Sequence, residues 1–219
     1  MRDAFSAPAW PVLRAATADL AWLLGRGYPE GAALKLVGDR HGLAGDQREA
    51  VRRAACDPAR AAARRARQRG AVGGEPVAVD GCNVLAVLDS LVAGIPVFRC
   101  QDGALRDVVG RGRRVGRLDL ARLLPAAAGA LAAATAVAWF LDAPVSGSGR
   151  LAGDLRAFAA SAELPWTVEV VFNPDAAVIG AGALAASADG LVIDGSPAWV
   201  DLAASAGAEA PGARIIDLG

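Results

Sequence analysis

Val77-Ala78-Val79-Asp80-Gly81-Cys82-Asn83-Val84-Leu85 carries an unbroken apolar run straight into Asp-Gly-x-Asn. A parallel strand buried on both faces reads as continuous apolar sequence, so this run predicts a strand that delivers the Asp80 carboxylate to the edge of a sheet. In open α/β sheets ligands gather beyond the carboxyl ends of the strands. Asp80 is therefore the first residue expected to carry chemistry. The competing reading is that Asp80 caps a helix beginning near Asn83.

Working outward, strand-like runs recur at residues 77–79, 95–98, 136–141, 167–172, 190–193 and 214–217, and helical stretches fit between several of them. That alternation predicts a three-layer α/β domain with a mostly parallel central sheet. Upstream, Leu13, Ala16, Leu20, Leu23 and Leu24 recur at helical spacing until Gly25 and Gly27 supply stop signals. Pro29 and Glu30 suit the first turn of a second helix to about Arg40. Asp46 is placed to cap a third, which Pro58 breaks or restarts. Residues 70–76, with three glycines and Pro76, read as a linker. The expected division is a small all-α module over 1–70, a linker over 71–76 and the α/β domain over 77–219.

Composition narrows the chemistry. At 219 residues the chain can bury a core without disulfides or metals. Three cysteines with no Cys-x-x-Cys pair, and His41 as the single histidine, exclude a zinc site of the usual kind and a disulfide framework. No apolar run reaches the roughly 18 to 20 residues that span a bilayer, and no secretion signal is evident, so a cytoplasmic protein without a membrane segment is expected. Net charge is zero, but residues 1–70 hold 13 basic and 7 acidic side chains against 10 and 16 in the remainder. The basic half suits nucleic-acid contact or packing between the halves. Residues 60–69, with five arginines among small residues, read as a solvated basic face.

A second apolar run, Val137-Ala138-Trp139-Phe140-Leu141, also stops on an acid, Asp142. Asp175 follows residues 168–172 after an Asn-Pro turn, and Asp189 stands ahead of Leu191-Val192-Ile193. Clustered carboxylates repel one another, whereas a divalent cation stabilises all of them ionised. An all-oxygen ligand set favours magnesium or manganese, and such a site activates water for attack on a phosphodiester. Ser146, Ser148 and the glycines beside them, with Arg150, are placed to meet a phosphate at the start of a following helix, or to cap that helix. Asp102 and Asp107 flank Arg106 in what reads as an ion-paired turn. The run Arg111, Arg113, Arg114 and Arg117 suits contact with a nucleic-acid backbone, or a solvated loop.

Asp80-Gly81-x-Asn83, the strand ending at Asp142 and Ser187-Ala188-Asp189 together resemble the PIN-like nuclease fold, especially its NYN branch. In that superfamily such acids bind magnesium or manganese for RNA cleavage. The whole chain more closely resembles the prokaryotic family numbered 434 among domains of unknown function, in which a helical module precedes a PIN-like domain. Arg26-Gly27-Tyr28-Pro29, Val37-Gly38-Asp39-Arg40, Asp102-Gly103-x-x-Arg106-Asp107 and Asp142 through Arg150 carry that likeness. The sequence departs from the nuclease pattern where Pro144 and a Ser/Gly-rich loop follow Asp142, and at Ala188, where a hydroxyl residue is common.

The reading that results is a metal-dependent phosphodiesterase acting on RNA. Asp80 and Asp142 are the principal metal ligands, and Asp175 and Asp189 complete the set. Asn83 orients Asp80 or touches substrate. Ser146, Ser148, Arg150, Arg106, Arg113 and Arg114 are the phosphate-binding candidates. The alternatives are a noncatalytic RNA-binding or scaffold protein with a degenerate site, and a small phosphate-ester hydrolase. Oligomeric state is left open.

Overall fold

A computed structural model describes residues 4–108 and 118–219. The elements run, in chain order, α1 (Trp10–Leu24), α2 (Glu30–Arg40), α3 (Gly45–Ala54), α4 (Pro58–Arg67), β1 (Gln68–Arg69), β2 (Val77–Asp80), α5 (Gly81–Val92), β3 (Val97–Arg99), β4 (Leu105–Asp107), α6 (Leu120–Ala130), β5 (Val137–Asp142), α7 (Ser148–Ser161), β6 (Trp166–Val171), α8 (Pro174–Gly180), β7 (Leu184–Ala186), α9 (Gly190–Gly195), β8 (Trp199–Val200), α10 (Leu202–Gly207) and β9 (Ile215–Asp217). A helical module thus precedes an α/β domain with a mostly parallel sheet, as the alternation of apolar runs predicts.

The chain forms two compact units that are not contiguous in sequence. One comprises residues 1–66, 95–108 and 214–219, the other 67–94 and 109–213. These units are cut differently from the linear division at 71–76 in two respects. Gln68–Arg69 is already a strand of the large sheet, paired in parallel with β8, so the glycine-rich stretch joins two strands of one sheet. Residues 95–98 and 214–217 do form strands, but β3 pairs antiparallel with β4 and parallel with β9 in a separate three-stranded sheet. Short apolar runs show strand character without showing which strands they will pair with.

In the first unit, α1 packs on α2 and α3. Leu13, Ala16, Leu20, Val37, Ala50 and Val51 share a core with Phe98 and Ile216 of the small sheet, so the helical periodicity and the β runs bury one another. Asp46 does not cap α3: Ala44 takes that position and its N–H donates to the Gln47 side chain, while Asp46 accepts from the Gln47 N–H. The arginine-rich stretch is solvated only in part: Arg60, Arg65 and Arg69 are exposed. Arg64 is buried in an ion pair with Asp102, and Arg65 donates to the Gln101 carbonyl. Burial of Arg64 also explains the missing apolar stripe, since its aliphatic stem serves that purpose.

The second unit is doubly wound. Its six strands run β1-β8-β7-β2-β5-β6, every pairing parallel. β2, β7 and β8 are buried at every position, which requires cover on both faces because successive side chains alternate. α5 packs on α6 and α10, α7 on β5 and β6, and α8 on α9 and the central strands. Residues 190–193 form the start of α9 rather than a strand. The neighbouring strand is Leu184–Ala186, whose alanines carry no β-branched signal, whereas Leu191-Val192-Ile193 is held helical by a cap from Asp189.

Candidate active site

Sheet order decides where the acids lie. The chain leaves β2 toward β5 on one side, while the adjacent β7 leads to β8 on the other. Connections that diverge from neighbouring parallel strands open a crevice outside their carboxyl ends. Four consecutive neighbours release the chain into acids at this edge: β7 into Asp189, β2 at Asp80, β5 at Asp142 and β6 into Asp175. β8 adds Asp201, a buried residue that sequence reasoning missed because a two-residue strand leaves no readable run; it caps α10 through the Ala204 N–H.

The capping alternative for Asp80 does not hold. It occupies the position before α5, yet its carboxylate makes no capping hydrogen bond. Fully buried, its Oδ2 instead accepts from the Ser187 hydroxyl at 2.9 Å, and the same hydroxyl oxygen accepts from the Asp189 N–H at 2.9 Å. Asn83 Oδ1 accepts from the Ala188 N–H at 3.0 Å. The two motifs quoted from the sequence therefore clasp each other across the β2–β7 crevice. Gly81 is required there, since a Cβ would stand 2.6 Å from Leu141 Cδ2 and 3.2 Å from the Phe140 carbonyl oxygen.

Asp142 lies one strand over and is partly exposed. Cys82, buried between the two strand ends, registers both acids: burial pushes its thiol up, hydrogen bonding from the Asp142 backbone opposes this, and the Asp142 and Asp80 charges raise it further. Position inside the Asp-Gly-x-Asn motif was the one sequence signal for Cys82. Asp189 is a capping residue, accepting from the Leu191 N–H at 2.8 Å. Asp175 stands in the first turn of α8, which Asn173 caps. Among the described residues, no group of three or more His, Cys, Asp or Glu side chains is arranged to hold a metal ion.

The phosphate-binding candidates separate. Ser146 and Arg150 are exposed beside Asp142. Ser148 is buried and its hydroxyl donates to the Val145 carbonyl, so its side chain shapes the turn. Arg106 belongs to the other unit and is committed to Asp102 through a bidentate pair at 2.9 and 2.6 Å; a guanidinium so engaged is not available to phosphate. Arg113 and Arg114, with Arg111 and Arg117, fall outside the described residues. A cleft of about 480 Å³ lined by Arg69, Glu75 and Leu184 lies at the opposite edge, where β7 begins.

Fold and site define a doubly wound parallel α/β protein whose carboxyl edge is acidic. Residues 70–205, more than half of the chain, match the family described as Domain of unknown function (DUF5616), and the chain belongs to that family. Residues 12–67 match Protein of unknown function (DUF434), so the likeness to the family numbered 434 rests on the helical module. Comparison with curated proteins and with solved structures gives no match. No helix among the described residues is long and apolar enough to cross a membrane.

Proposed function

We propose that the carboxyl edge of the six-stranded sheet is the active site of a magnesium- or manganese-dependent phosphodiesterase that cleaves RNA in the cytoplasm, in the manner of PIN-like nucleases. The observation that carries this is the delivery of Asp189, Asp80, Asp142 and Asp175 to one edge by four adjacent parallel strands, centred on the switch point. The donor set suits a small hard cation, which keeps several waters and takes only one or two protein carboxylates. Asp80 and Asp142 would hold it. The ion supplies Lewis acidity toward a phosphoryl oxygen and acidifies water.

The chain's own residues do the rest. Ser187 fixes the Asp80 carboxylate in one rotamer, and Asn83 pins the turn that carries Ser187 and Asp189. Ser146, in the loop that follows Asp142, and Arg150, in the first turn of α7, would meet the substrate phosphate. Asp189 and Asp175 orient water at the rim. A side chain held by hydrogen-bonded neighbours keeps its geometry through the reaction, which is how positioning lowers the barrier.

Cleavage of a mixed panel of RNA and DNA by wild type and Asp142→Asn, purified identically, tests the reading. Manganese-dependent cleavage that the substitution reduces by at least about a hundredfold supports it; equal activity in both assigns the cleavage to a contaminant. A second reading, a noncatalytic RNA-binding protein with a degenerate site, is favoured by the hydrogen bonds that already occupy Asp80, Asn83 and Asp189. It predicts RNA binding with no metal-dependent cleavage.

A further inference from the structure

β1 stands at one end of the six-stranded sheet and β2 three places in, with β8 and β7 between them. Residues 70–76 join the two, a span of ~14 Å at ~4.8 Å per strand spacing, and pass the segments that lead into β8 and β7. The space this crossing encloses is the cleft of about 480 Å³, lined by Arg69, Gly73 and Glu75 from β1 and the crossing segment, and by Gly182, Ala183 and Ala198 from the approaches to β7 and β8. That volume falls in the range of sites for small organic ligands.

The crossing segment is held in place. Val72 is buried, and Gly74 has a φ of 97°, a left-handed conformation that suits glycine. The Gly73 N–H donates to Glu75 Oε1 at 3.2 Å, which fixes the carboxylate. On the β8 side Arg67 donates to the Ser196 carbonyl at 2.7 Å and steadies the approach to that strand. Arg69 and Glu75 therefore line one cleft with opposite charges, yet no ion pair joins them, and no hydrogen bond or ion pair to the described residues engages the Arg69 guanidinium. Gly73, Gly182, Ala183 and Ala198 carry nothing beyond Cβ, and a Cβ added at Gly182 would meet nothing within 4 Å. Backbone forms much of the cleft surface, with a cation and a carboxylate as its polar groups.

We propose that this cleft binds a guanine nucleotide, with Arg69 on the phosphate and Glu75 on the base, at the edge of the sheet opposite the acids. Two opposite charges that share a cleft without pairing are bridged by a ligand with an anion at one end and hydrogen-bond donors at the other. A guanidinium meets phosphate through two parallel N–H···O bonds. Each carboxylate oxygen has two lone-pair sites, so the bond from Gly73 leaves Glu75 able to accept two more donors. Guanine is the common base with two adjacent donors, N1–H and the N2 amino group, on its pairing edge. An inorganic anion or a free amino acid would leave most of this volume empty. The proposal does not draw on the phosphodiesterase reading.

Isothermal titration calorimetry of the full chain in EDTA, with GMP, AMP, guanosine and inorganic phosphate as separate probes, tests it. Wild type is expected to bind GMP at least about tenfold more tightly than each of the other three. Arg69→Ala should weaken GMP at least about tenfold and leave guanosine unchanged, whereas Glu75→Gln should bring GMP down to the affinity of AMP. Arg69→Gln, which keeps much of the length and loses the charge, should match Arg69→Ala, so a folding defect in one variant does not decide the result. Asp142→Asn, at the other edge, should bind GMP as wild type does. Absence of GMP binding by wild type, equal affinity for GMP and inorganic phosphate, or GMP affinity unchanged by both Arg69 substitutions overturns the proposal. So does loss of GMP binding in Asp142→Asn, which would place the nucleotide among the acids.

Discussion

Among the described residues each unit buries one aspartate completely, and the neighbours of the two differ. Asp102, in the helical unit, sits between Arg64 and Arg106 and also accepts from the Ala104 N–H. Burial alone would raise its pKa, but the Arg106 charge and the hydrogen bonds from Arg106 and Arg64 hold it below the usual carboxylate range. Asp80, in the sheet unit, is met by the Ser187 hydroxyl, and the strands on either side of it end in further acids. A carboxylate clamped by arginines fastens α4 to the loop before β4. A carboxylate set among other carboxylates at a switch point is where the proposed cation would bind.

The largest effect separating the two is expected from Asp102→Asn. Removing one member of a buried charge group leaves two guanidinium groups uncompensated, and about 3–5 kcal/mol of stability should be lost, read by urea unfolding at pH 7. Because the folded-state pKa of Asp102 is depressed, its contribution is complete above the unfolded value of about 3.9 and disappears as pH falls through the folded value. An acid titration of wild type should show that loss, and Asp102→Asn should not.

On the sheet side, Ser187→Ala deletes the hydroxyl that joins Asp80 to the Asp189 backbone and should cost about 1.5–3 kcal/mol in the same assay. Gly81→Ala drives a methyl against Leu141 and the Phe140 carbonyl and should cost about 1–3 kcal/mol by overpacking. The smallest change is expected from Glu49→Gln on α3. Hydrogen bonding from Arg52 brings its pKa down to about 2 against the opposing effect of partial burial, yet the pair is open to solvent and should contribute less than about 1 kcal/mol. That contribution is present above about 4.3 and fades as pH falls toward 2. An Asp102→Asn variant no worse than Glu49→Gln would erase the distinction between clamp and surface pair.

The parts of the fold that could be read from sequence are those with a one-dimensional signature. The all-apolar run of β2 and the run ending at Asp142 announce buried parallel strands, and the leucine spacing announces α1. Pairing has no such signature, so the run at 95–98 was recognisable as a strand while its place beside β4 and β9 was not. Leu184-Ala185-Ala186 is inconspicuous because alanine reports burial without β preference, and Leu191-Val192-Ile193 misleads because a cap overrides local propensity. At the site, the acids and Asn83 were legible by type and position. The Ser187 bridge was not, since residues 107 apart in sequence meet only when β7 inserts beside β2. Sequence supports Arg106 both as a member of an ion-paired turn with Asp102 and as a phosphate contact; the bidentate pair realises the first, and sequence does not show the burial of Asp102 that rules out the second.

Thermal unfolding followed while manganese is titrated tests most directly whether the acids at the sheet edge act as one cation site. A ligand held only by the folded state adds RT ln(1 + [L]/Kd), about 2.7 kcal/mol at a hundredfold excess over Kd. Wild type should gain stability along that curve, and Asp80→Asn and Asp142→Asn should each abolish the gain while the Asp102–Arg106 ion pair in the other unit is untouched. A wild-type protein whose unfolding is indifferent to manganese, or a gain that survives both substitutions, would contradict the account.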